Sequence, residues 1–134
     1  MIGYGERMTA RRAKIYFDGG CRPNPGAMEI AVVTGGVVAI DRELGFGTSL
    51  DAEWLALIAA LRLARGRELQ DFVLLGDAAG VIAQATGAAR VQGQAAEHLV
   101  AFRALAEGGP PPRVRHIGRA QNLAGIALAR LHPR

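Results

Sequence analysis

Apolar and polar positions alternate in short blocks along the first part of the chain and change period near its middle. Residues 14–19 carry the run Ile15-Tyr16-Phe17 and predict a first strand, closed by Asp18 and by a turn through Pro23 and Gly26. Glu29–Thr34 reads as a second strand, Gly35–Gly36 as a hairpin turn, and residues 37–47 as a third, less regular strand. In the block 51–65, Trp54, Leu57, Ile58 and Leu61 recur at i, i+3, i+4 and i+7, which predicts a long amphipathic helix with Thr48 or Ser49 as its N-cap. Phe72–Leu75 is apolar throughout, the pattern of a strand buried on both faces. Ala78–Ala85 and Glu97–Glu107 read as helices, Pro110–Pro112 stop the second, and Val114–Ile117 predicts the last strand. Over Ala120–Leu131 a terminal helix is expected, with Ala124, Ala127, Leu128 and Leu131 as its core stripe and Ile126 roughly opposite.

The order β-β-β-α-β-α-α-β-α joins a hairpin-linked meander to strand–helix alternation. It predicts an α/β domain with a mixed five-stranded sheet and helices on both faces. No repeat or linker interrupts the 134 residues, so one domain is expected over 1–134. Residues 1–13 would be a flexible N-terminal extension and Met8 an alternative start. No apolar run approaches the roughly 20 residues of a membrane span, and the N-terminus has no apolar signal core. The single cysteine, Cys21, allows no internal disulfide and no zinc cluster. A monomer in a reducing, cytoplasmic setting is the expectation.

Charge adds a direction without deciding it. The formal net charge is +4 and the pI about 10.2, carried almost wholly by arginine. A basic domain suits a polyanionic partner, because phosphate contacts release counterions. Arginine-rich composition from GC-rich coding accounts for the charge equally well.

Three acids stand in unusual places. Asp18 and Asp77 each follow an apolar strand, and Glu53 lies in the first turn of the long helix. The two most apolar strands are expected to be adjacent, about 4.8 Å apart, which would bring their terminal acids together. Each acid has an ordinary explanation: Asp18 as a turn former, Glu53 as a helix-dipole partner, Asp77 as an N-cap. Gathered at one sheet edge they would repel one another unless cations neutralised them. An all-oxygen donor set suits Mg²⁺ or Mn²⁺.

These segments resemble type 1 ribonuclease H. Asp18-Gly19-Gly20 followed by Asn24-Pro25-Gly26 is similar to the family's opening motif. Ala-Glu-Trp-Leu around Glu53 is similar to its helix motif, and Leu-Leu-Gly-Asp ending in Asp77 to its third. His116–Ala129 (HIGRAQNLAGIALA) aligns with the family's tail without a gap. The resemblance covers the chain from Lys14 onward and implies the ribonuclease H-like fold. By it, Asp18, Glu53 and Asp77 would be catalytic metal ligands, and His116 would assist water activation or product release. Two Mg²⁺ (or Mn²⁺) ions are implied, one of them weakly held. Asn24, Thr48, Ser49, Gly19 and Gly20 would contact substrate, with Asn24 in the minor groove, Thr48 at a DNA phosphate, and the two glycines leaving room beside Asp18.

Two departures stand against the matches. The family's fourth carboxylate falls on Ile126, and a shift by one residue gives Gly125. The family's basic, tryptophan-rich protrusion is also missing, with only Arg90 and Arg103 in that stretch. The resemblance implies a metal-dependent endonuclease that hydrolyses the RNA strand of RNA/DNA hybrids, leaving 5′-phosphate and 3′-hydroxyl. Ile126 supports a second reading, a degenerate member that binds nucleic acid or a protein without cutting. A third, an exonuclease or resolvase on the same fold, lacks the Asp-Gly-Gly…Asn-Pro-Gly opening.

Overall fold

A computed structural model describes residues 12–132. Its strands are β1 (Ala13–Cys21), β2 (Gly26–Thr34), β3 (Val37–Asp41), β4 (Phe46–Gly47), β5 (Phe72–Gly76) and β6 (Arg113–His116). Its helices are α1 (Ser49–Gly66), α2 (Ala79–Ala85), α3 (Gln94–Ala106) and α4 (Leu123–Ala129), with a 3-10 turn at Arg119–Gln121. The five-strand path runs β3-β2-β1-β5-β6, and the two-residue β4 pairs with β2. β1 and β2 are antiparallel, while β5 runs parallel to β1 and β6 parallel to β5, so the sheet is mixed as expected. The two most apolar strands are indeed neighbours.

Alternation along the strands sorts the layers. Ile15 and Phe17, Ile30 and Val32, and Phe72 and Leu74 face the main core beneath α1, α2 and α3. Ala31 and Val33 face the other way and pack on Ala124 and Leu128 of α4, with Tyr16, Ala127 and Leu131 at the margin. The helices therefore cover both faces. Among the described residues no helix is long and apolar enough to cross a membrane.

Several boundaries differ from the sequence expectation. β1 runs two residues further than the turn-forming glycines suggested, because Gly19, Gly20 and Cys21 keep pairing with β2. The third strand breaks after Asp41; Gly45 takes φ +87, its carbonyl accepts from Met28 N–H, and the chain rejoins as β4. α3 starts at Gln94, three residues early, directly after Gly93 at φ +61. The last strand is Arg113–His116, one residue earlier than expected. The terminal helix is cut in two, since Asn122 leaves the helical region and caps α4 instead. Gly35 and Gly36 both have positive φ, as a tight hairpin turn requires. The expected extension over 1–13 and the alternative start at Met8 lie almost wholly outside the described residues, and Ala13 already belongs to β1.

Candidate active site

β1 and β5 end side by side, and two residues beyond their last pair, Tyr16 and Leu75, Asp18 and Asp77 meet. Gly76 makes the approach possible: a Cβ there would stand 2.5 Å from the Phe17 ring. Glu53 reaches the same place from α1. Gly19 lets that helix in, because a Cβ at 19 would run into the Ala52 carbonyl. The space beside Asp18 on that side is thus filled by helix backbone rather than left for substrate, contrary to the expectation for Gly19. At Gly20 a Cβ would meet nothing within 4 Å, and this residue does line the open cleft.

The start of α1 is held from several sides. Thr48, not Ser49, is the N-cap. Its hydroxyl accepts from Asp51 N–H at 3.1 Å and donates to Asp51 Oδ2 at 2.9 Å, while Thr48 N–H donates to the same oxygen. Asp51 is the first-turn acid, so Glu53 falls just past the turn where the helix dipole favours acids. Burial alone would raise the Asp51 carboxyl, but the Thr48 backbone, His98 and the Thr48 hydroxyl hold it below its ordinary value. His98 Nε2 lies 2.9 Å from Asp51 Oδ1 and its ring stacks on Trp54. Trp54 is buried and donates from Nε1 to Gln84 Oε1 at 3.0 Å. Glu53 sits between two locked neighbours: Ala52 against Gly19, and Trp54 against α2 and α3.

A cleft of about 480 Å³ opens over the acids, lined by Asp18, Glu53 and Asp77 together with Gly20, Ser49 and Ile126. Burial first, then the charges of Asp77 and Glu53 and a shared hydrogen bond with Asp77, push the Asp18 carboxyl up to about 7, against an opposing Gly19 N–H. Burial and Asp77 also raise Glu53, while Arg119 works the other way. Arg119 Nε lies 3.6 Å from Asp77 Oδ2, on a side chain that is 94% exposed. Such mutual repulsion is what a hard cation relieves.

The other candidate residues are placed unequally. Asn24 Oδ1 accepts from Ser49 N–H at 3.0 Å and so ties the β1–β2 turn to α1, leaving its amide nitrogen for other partners. Thr48 spends its hydroxyl within the cap. His116, exposed at the end of β6, lines a neighbouring groove rather than the acid cleft. Asp77 does not cap α2, whose N-cap is Ala78 with no side-chain bond. Ile126 is 37% exposed and lines the cleft. Gly125 also faces the acids, since a Cβ there would lie 3.4 Å from Asp18 Oδ2.

Four further residues shape the site. Asn122 is completely buried; its Nδ2 donates to the Phe17 carbonyl at 3.0 Å and stands 3.4 Å from Asp77 Oδ1, while its Oδ1 caps Ala124 N–H. Its sequence signals were the helix-capping residue type and its place in the tail similar to the family's. Glu29 is a buried carboxylate at the cleft's far end, held by His132 and by Arg42 Nε at 3.2 Å. It looked like an ordinary strand residue, as Arg119 looked like one arginine among many. Gly125 completes the four.

The reverse transcriptase-like family model matches residues 17–132. The chain belongs to the type 1 ribonuclease H-like family. It is 36% identical over 124 residues to ribonuclease HI of Halobacterium salinarum, covering 88% of this chain and 62% of that protein. It therefore spans about three fifths of that relative's length. The crystal structure of RNase H1 from Halobacterium salinarum NRC-1 is similar with a TM-score of 0.80 at 34% identity, covering 88% of this chain and 94% of that one. LC11-RNase H1 in complex with RNA/DNA hybrid gives 0.74 at 28% identity, covering 84% and 89%.

Family membership raises the question of metal. The donor chemistry fits: three carboxylates share one cleft and offer only oxygen. Among the described residues no three His, Cys, Asp or Glu side chains stand, as placed, in an arrangement that could hold a single ion. Asp18, Glu53 and Asp77 would hold such a cation, which would relieve their mutual repulsion.

Proposed function

We infer that the chain is a divalent-metal-dependent endonuclease that hydrolyses the RNA strand of RNA/DNA hybrids, leaving 5′-phosphate and 3′-hydroxyl. The observation that carries this reading is the meeting of Asp18, Glu53 and Asp77 at one cleft in a chain of this family. Asp18, Glu53 and Asp77 would hold the metal. Bound Mg²⁺ or Mn²⁺, two ions with one held weakly, would supply a polarised water and neutralise the leaving oxygen. Asn122 and Arg119 orient Asp77, and the Asn122 bond to the Phe17 carbonyl fixes the strand end that carries Asp18. Gly20 and Ser49 line the cleft and would meet the RNA strand, with the Asn24 amide beside Ser49. His116 stands at the adjoining rim, where a proton or a departing phosphate could be taken up.

Ile126 favours the second reading, binding without cleavage, because the fourth carboxylate is absent from α4. A labelled hybrid incubated with Mg²⁺ and separately with Mn²⁺, beside an Asp18→Asn control, separates the two. Cleavage that vanishes in the control supports the nuclease. Hybrid that stays intact in both metals with folded protein, yet is retained by it, supports the binder.

A further inference from the structure

Side chains recur on one face of a strand every second residue, and residues paired across parallel strands share that face. Lys14 pairs with Val73 and Val73 with Arg113, making one row; Tyr16, Leu75 and Arg115 make the next. The row after these carries Asp18 and Asp77. Lys14 is thus two rows from the acids, about 13 Å along β1. On this face α4 packs against β1, β2 and β3. Over β5 and β6 there remains a groove of about 330 Å³. Its floor is Val73 and Leu75, Lys14 and Tyr16 form one wall, Arg115 the other, and His116 its end toward the acids.

The groove combines two properties. Lys14, Arg113 and Arg115 are exposed, and among the described residues none is paired with a carboxylate. Arg12, at the mouth, is shared with Asp71 at 3.3 Å. The floor, by contrast, is apolar, with the Tyr16 ring at its edge. A duplex keeps its bases stacked inward and has no base to lay on such a floor, whereas an unpaired strand offers base faces and phosphates together. An acidic peptide would answer the cations and leave the floor unused.

We propose that this groove is a single-strand subsite, taking an unpaired stretch of nucleic acid continuous with a duplex at the acid cleft, bases against the Tyr16 ring above the Val73–Leu75 floor and phosphates on Lys14 and Arg115. The continuity rests on the nuclease reading of the cleft; the groove's affinity for a single strand does not.

Fluorescence anisotropy in EDTA, where no strand is cut, tests it with a blunt RNA/DNA hybrid, the same hybrid with an RNA overhang at either end, and the unpaired RNA. One overhang should bind about tenfold tighter than the blunt hybrid, within the range of one base–aromatic stack. Lys14→Gln/Arg115→Gln should remove that preference, leave blunt binding within about twofold, and lower the salt slope by about 1.4. Each single variant should show about half the slope change, so a double variant that fails to fold does not end the test. Equal binding of blunt and overhung hybrids overturns the proposal, as does equal loss on both in the variants. Competition by polyglutamate as strong as by RNA would point to an acidic protein instead. Cleavage of the blunt hybrid in Mg²⁺ is scored separately. Cleavage without overhang preference sinks the groove alone, and overhang preference without cleavage sinks the nuclease reading alone.

Discussion

On the face turned to α1, β1 presents Ile15 and Phe17, β2 presents Ile30 and Val32, and β5 presents Phe72 and Leu74, all buried in one core with Trp54, Leu57 and Leu61. On the opposite face the same strands present Lys14, Tyr16 and Asp18, then Glu29, Ala31 and Val33, then Val73 and Leu75. The first set holds the sheet to its helices; the second mixes a small apolar patch under α4 with every charged group the sheet carries toward the cleft. A period of two lets one strand serve both ends. It also couples them, because a slip of one residue would exchange the faces completely. The core face therefore keeps the register in which Asp18 and Asp77 meet.

Substitutions that touch one face at a time break this comparison most clearly. Asp18→Asn should reduce hybrid cleavage by at least ~100-fold, by analogy with loss of one preorganised electrostatic group. The same change should stabilise the metal-free protein. Folded Asp18 holds a proton up to about pH 7, whereas the unfolded chain releases it near pH 4. Metal-free stability should therefore fall as pH rises between those values, by at most about 4 kcal/mol. Urea unfolding in EDTA across that window would show the slope, and Asp18→Asn should flatten it. Leu74→Ala, on the other face, should cost about 2–5 kcal/mol of stability by the same assay while leaving the surviving folded fraction active.

Gly19→Ala sharpens the coupling between the faces. Its methyl would press on the Ala52 carbonyl, so about 1–3 kcal/mol of stability should be lost along with activity, as α1 withdraws Glu53. The smallest effect is expected at α4. Ile126→Asp should raise the cleavage rate, and even about 1.4 kcal/mol of added transition-state stabilisation reads as tenfold. Gly125→Asp is the natural companion, because a Cβ at 125 would lie 3.4 Å from Asp18 Oδ2. If 125 rescues better than 126, position 125 is the one that governs the rate.

Much of the scaffold was legible because it depends on neighbours in sequence. The helical period of Trp54, Leu57, Ile58 and Leu61, the wholly apolar Phe72–Leu75 and the Gly35–Gly36 turn each carry their own cause within a few residues. Where the expectation slipped, a distant partner had intervened. The terminal helix splits because the Asn122 side chain goes to the Phe17 carbonyl, 105 residues away. Gly19 read as room for substrate, yet its space belongs to a helix 33 positions later.

By itself, then, the order of residues determined the alternation of strands and helices, the acids at the ends of two apolar strands, and the departure at position 126. These are local chemistry and periodicity, and a chain carries them whether folded or not. Only the tertiary structure decided that Asp18 and Asp77 share a row, that Gly125 faces them, and that Lys14, Arg113 and Arg115 line up beside them. Those relations are created by strand pairing, and pairing is chosen by the burial of the opposite face.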